Sequence, residues 1–142
     1  MDIQAIINEW KTDCVINKLK LENEGVNINI LHCKYMEFMV KENLKLAQLR
    51  TEYNQLLKDK FIFYTEGAKT IKDIQRAPRG AIPKTEVEKY YLLADDDVIK
   101  VSLNISLQLE KVKFLDSIIN QITNRTYTIK ALVDYQKFIN GC

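Results

Sequence analysis

Apolar residues recur at helical spacing along most of this chain. Ile3, Ile6, Ile7 and Trp10 fall on one side of a helix that Asp2 can cap, which predicts a short helix from Ile3 to about Lys11. From Val15 to Met39 the stripe is looser. Ile16, Leu19, Val26, Ile30, Cys33 and Phe38 fit a helix, weakened by Gly25, Asn27 and Asn29. From Glu42 to about Tyr64 the pattern is clearest: Leu46, Leu49, Tyr53, Leu56, Lys60 and Phe61 trace a seam, with Leu57 and Tyr64 beside it. Lys41, Glu42, Lys45 and Glu52 lie off that seam, and Gly67 is a natural stop.

Residues 68–84 change character. Both prolines, Pro78 and Pro83, flank Gly80 here, so the segment reads as a loop. It carries Lys69, Lys72, Arg76, Arg79 and Lys84 against the single acid Asp73. Asp95, Asp96 and Asp97 then suit the positive end of a helix dipole. Beyond them two patterns compete. Val101, Leu103, Ile105, Leu107 and Leu109 alternate as in a strand, whereas Val98, Val101, Ile105, Val112, Leu115, Ile119 and Ile122 form a helical stripe. No turn residue interrupts Val98 to Thr123, a span too long for a typical strand, so helix is the reading. Such a helix is apolar on two faces, one for the subunit core and one for a neighbour. Thr128 and Asp134 bound a last helix with Ile129, Leu132, Val133, Tyr135 (or Gln136) and Phe138 on its apolar side, ended by Gly141.

Composition narrows the class. With 142 residues and 46% hydrophobic content, the chain is expected to form a single folded domain, residues 1–142. Only 4 Gly and 2 Pro argue against a multi-turn β-sandwich and for an all-α fold of long helices joined by a basic loop. A formal charge of +2 predicts no nucleic acid by itself, so any such partner must be read from where the charges sit. Cys14, Cys33 and Cys142 have no metal-type spacing and read as free thiols in a reducing compartment. Met1 to Trp10 lacks the basic start and apolar stretch of a signal peptide, and no apolar run is long enough for a membrane span. A soluble intracellular protein without membrane association is expected.

Four groups invite a chemical reading. Lys58 and Lys60 lie near the end of the Glu42 helix with Tyr64 one turn on. Single-strand binders need cations to replace condensed counterions and ring faces for unstacked bases, so these residues could contact phosphate while Tyr64 or Phe63 stacks. The plainer reading is a solvated helix end whose lysines favour the negative pole of the dipole. Lys69, Lys72, Arg76, Arg79 and Lys84 could grip phosphate, or decorate an ordinary soluble loop. The Asp95–Asp97 triplet looks like a metal cluster, but three adjacent residues at a helix start do not converge on one point, and a cap explains them. His32 and Cys33 are neighbours that diverge on a helix, and no second His exists. No metal, cofactor or catalytic site is expected. There is no G-x-x-x-x-G-K-[ST] loop, so the chain is not an ATP-driven motor or recombinase.

Ala94-Asp95-Asp96-Asp97-Val98-Ile99-Lys100-Val101 resembles the Ala-Asp-Lys-Asp-Val-Leu-Lys-Val run of the UvsY family of phage recombination mediators. Leu57-Lys58-Asp59-Lys60-Phe61, followed by Tyr64 and Gly67, is similar to that family's Leu-Lys-Ala-Arg-Leu segment and the tyrosine and glycine after it. Ile129-Lys130, Asp134, Phe138 and Gly141 repeat a family pattern in the tail. Lys60 stands where the family has Arg, Asp59 separates the two bases, and the basic loop differs almost throughout. The resemblance implies a ring-like homo-oligomer of six or seven chains. It implies sequence-independent binding of single-stranded DNA and help to a RecA-type phage recombinase in displacing the phage single-strand-binding protein, in the cytoplasm of the infected host. It places DNA contacts at Lys58, Lys60 and Tyr64; Lys69, Lys72, Arg76 and Arg79 are further candidates by their charge alone. Assembly would fall to residues 95–142, through Val101, Ile105, Leu109, Leu132, Tyr135 and Phe138. The alternative is a structural helical oligomer, such as a phage assembly scaffold, that binds no DNA.

Overall fold

The computed structural model describes residues 1–66 and 83–141. Every element within them is helical: α1 (Ile3–Asp13), α2 (Leu21–Glu66), α3 (Lys84–Glu86), a π-helical turn (Val87–Tyr91), α4 (Leu92–Ala94) and α5 (Asp96–Ile139). The all-α class expected from apolar spacing is the class observed. Residues 1–43 with 110–142 form one compact unit, and residues 44–109 form a second.

In the first unit, α1 starts as the sequence predicts. The Asp2 side chain accepts from the Ala5 N–H at 2.9 Å, which satisfies one of the free donors of the first turn. Ile6 is fully buried with Tyr35 of α2 and Leu115, Ile118, Ile119 and Ile122 of α5. Trp10 and Phe38 meet the Tyr35 ring edge-on at centroid distances of 5.5 and 5.4 Å. The Tyr35 hydroxyl donates to Asp13 at 2.9 Å, so the buried ring keeps its polar end satisfied.

The expected helix from Val15 to Met39 is corrected at both ends. Its first residues are not helical, and α2 begins at Leu21. Arg125 explains the gap: its guanidinium donates to the carbonyls of Asp13 and Val15 at 3.0 and 3.1 Å, and to Glu24 at 3.0 Å. No helix break follows Met39, and α2 continues to Glu66. The buried face also differs from the expected stripe. Leu21 and Tyr35 are buried, while Leu19, Val26 and Ile30 are 93%, 65% and 62% exposed. Glu42, which looked like a surface residue, is buried. The Lys111 ammonium at 3.3 Å and the N-terminal ammonium at 3.7 Å offset the cost of burying its charge.

The alternation over Val101–Leu109 is carried by helix, as read. The separate last helix is not observed: α5 runs unbroken from Asp96 to Ile139. Thr128 and Asp134 lie inside it, where their side chains cost little because both are exposed. Gly141 follows with φ of 72°, a left-handed terminating conformation that suits glycine.

Candidate nucleic-acid interface

The candidate DNA-binding residues at the end of α2 belong to the second unit. Lys60, Phe63 and Tyr64 share one face because residues three and four apart are neighbours on a helix. Lys58 does not. Two residues correspond to about 200° of rotation, so the two lysines leave the helix in nearly opposite directions. Lys58 is exposed and makes no ion pair among the described residues.

Lys60 is only 15% exposed at its side chain. The exposure expected of the pair holds for Lys58 and not for Lys60. Its ammonium lies 2.8 Å from Asp97 and 3.4 Å from Asp95, and 5.5 Å from the centre of the Phe63 ring. Burial lowers its pKa, but the two carboxylates outweigh that and hold it above the ordinary lysine value.

Asp95 is the hub of this cluster. One carboxylate oxygen caps α5 by accepting from the N–H groups of Asp97 and Val98 at 2.9 and 3.2 Å. The other accepts from the Tyr64 hydroxyl at 2.6 Å. Burial pushes its pKa up. The Tyr64 hydroxyl, the Val98 N–H and the Lys60 ammonium reverse this and leave it below the usual carboxylate range. Tyr64 moves the other way: burial and its bond to Asp95 keep the hydroxyl protonated far into alkaline pH. Together Lys60, Phe63, Tyr64, Ala94 and Asp95–Asp97 line an open cleft of about 330 Å³. With three carboxylates to one ammonium, its lining is net acidic.

Tyr64 also touches two rings. Phe63 lies at 5.0 Å and Tyr91, from the π-helical turn, at 5.3 Å. The sequence reading did not single out Tyr91. The signal available was two adjacent tyrosines, Tyr90 and Tyr91, just ahead of the acidic triplet. Lys69, Lys72, Arg76 and Arg79 lie outside the described residues. Of the residues expected in assembly, Val101, Ile105, Leu109 and Leu132 are half-buried, whereas Tyr135 and Phe138 are 61% and 82% exposed. Leu103 and Leu107, from the alternating run that gave this helix a second apolar face, are exposed, and Ile99, one turn before Leu103 and not singled out in the sequence, extends them into an apolar stripe on α5.

A family model described as "Recombination, repair and ssDNA binding protein UvsY" matches residues 9–142. The chain belongs to the UvsY family. Three crystal structures of the bacteriophage T4 recombination mediator protein UvsY share its fold. One matches with a TM-score of 0.84 at 22% identity, covering 99% of this chain and 98% of that one. The others match with TM-scores of 0.81 and 0.79 at 24% and 22% identity, each covering 97% of this chain and 98% of the other. No curated protein sequence matches. UvsY proteins are recombination and repair factors, not enzymes. No helix among the described residues is long and apolar enough to cross a membrane.

Proposed function

We propose that this protein binds single-stranded DNA without sequence preference and loads a RecA-type phage recombinase onto strands covered by the phage single-strand-binding protein. The observation that carries this reading is the UvsY family match over residues 9–142. In the described residues, support comes from Lys58, a solvated cation that no neighbouring carboxylate neutralises. Lys69, Lys72, Arg76 and Arg79 add cations in one short stretch of sequence. Lys60 and Tyr64 act in this scheme mainly by fixing the end of α2 and its aromatic neighbours.

One such patch binds weakly. A homo-oligomer of six or seven chains would present several at once, and linkage raises the effective concentration of each. The exposed apolar residues Tyr135, Phe138, Leu103 and Leu107 are the surfaces best suited to assembly. The work would take place in the cytoplasm of the infected host.

The test is a loading assay. A RecA-type phage recombinase is mixed with single-stranded DNA already coated by single-strand-binding protein, and its DNA-dependent ATPase is followed. Adding this protein should shorten the lag before ATP hydrolysis. An unchanged lag, with DNA binding intact, would leave a DNA-binding protein that is not a mediator.

A further inference from the structure

We propose that Tyr91, seated against Tyr64, is a stacking platform for the unstacked bases of single-stranded DNA. The inference rests on the reading of this protein as a single-strand binder and adds the element that would contact the bases.

The Tyr64 side of the platform is anchored before any ligand arrives. Tyr64 is held at its hydroxyl by Asp95 at 2.6 Å and at its ring by Phe63 at 5.0 Å. Tyr91 leans on it at 5.3 Å with the two ring planes 47° apart. A base that stacks on a ring already fixed in place loses less freedom than one that must order a mobile side chain.

Backbone geometry brings Tyr91 there. Val87–Tyr91 is a π-helical turn, closed by the Leu92 N–H donating to the Val87 carbonyl. Val87 is fully buried and anchors the turn, while Tyr91 remains 39% exposed and the adjacent Tyr90 60% exposed. Wide turns of this kind are rare and are frequent at functional sites.

The chemistry of the surroundings selects the base over the phosphate. Asp95, Asp96 and Asp97 line the same cleft as Tyr64 and would repel a phosphate. The rings would therefore take bases, and the backbone would run clear of the acidic cleft. Every base offers a π-face, so stacking also agrees with binding that ignores sequence.

The experiment compares two fluorescent strands of equal length, oligo-thymidylate and an abasic deoxyribose-phosphate strand, bound by the full-length protein in anisotropy titrations at several salt concentrations. Wild type should prefer the thymidylate strand by about tenfold or more. Tyr91→Leu should lose about tenfold on thymidylate, with the abasic affinity and the salt slope unchanged. Tyr91→Phe should bind like wild type. Equal wild-type affinity for the two strands overturns the platform and needs no variant to fold. So does a Tyr91→Leu protein that binds thymidylate as tightly as wild type. Wild type binding neither strand would overturn the single-strand reading itself, a result distinct from equal binding to both.

Discussion

The Lys60 ammonium stands 2.8 Å from the Asp97 carboxylate and lies on the opposite side of α2 from the exposed Lys58. The two lysines should therefore respond differently to mutation. Lys60→Ala leaves the buried Asp95 without its ammonium and should cost about 1–3 kcal/mol of stability. Lys58→Ala removes a solvated side chain and should stay within about 0.5 kcal/mol of wild type. Urea denaturation of the two variants separates them. Equal stabilities would mean that the Lys60 cluster does not hold this unit together.

The same cluster sets an acid limit. Asp95 titrates below its unfolded value of about 3.9, so its contribution is present above that pH and is lost as pH falls through the folded value. Lys60 titrates above its unfolded value of about 10.4, so its contribution persists through neutral pH and fades only in strong alkali. Asp95→Asn keeps a capping acceptor but removes the charge. It should be about 1–3 kcal/mol less stable at neutral pH and should lose less stability than wild type below about pH 4. Thermal melts across that range would show parallel curves if Asp95 were not the group involved.

Arg125 joins the end of α1, the segment after it and the first turns of α2 through two carbonyls and Glu24. It is only 5% exposed, so truncation strands Glu24 and two carbonyl groups. Arg125→Ala should cost about 3–5 kcal/mol in chemical denaturation. Arg125→Lys should recover only part of this, because one ammonium cannot reproduce the planar fork.

How legible these features were depended on whether their cause is local. Asp2, Asp95 and Gly141 end or start helices through bonds to residues within a few positions, and each could be read from the chain. The face of α2 between Leu21 and Glu42 could not, because α1 and α5 decide it. Glu42 looks solvent-facing until Lys111 and the N-terminus are brought beside it. The break expected before Thr128 rested on polar residues that cost little at exposed helix positions. In the candidate site, Lys58 and Lys60 were legible as cations. That Asp95 and Asp97 would occupy Lys60, and that Tyr91 would meet Tyr64, depends on pairings across the chain that periodicity does not encode.

Tyr135 and Phe138 near the end of α5 expose apolar rings that a partner subunit could bury. Tyr135→Ser with Phe138→Ser should yield smaller species in analytical ultracentrifugation and unchanged helical circular dichroism. DNA binding should weaken in parallel, because multivalency is lost. A double variant with wild-type mass would place assembly elsewhere, with Ile99, Leu103 and Leu107 the next surface to change.

The central claim, electrostatic binding of single-stranded DNA by a many-site oligomer, is tested most directly by the anisotropy of a fluorescent single strand titrated with this protein from low to moderate salt. The logarithm of affinity should fall linearly with the logarithm of salt concentration, by about 0.7 for each phosphate neutralised. Lys58→Ala should weaken binding and make that slope shallower. No binding at low salt, or an affinity that salt leaves unchanged, would contradict the account.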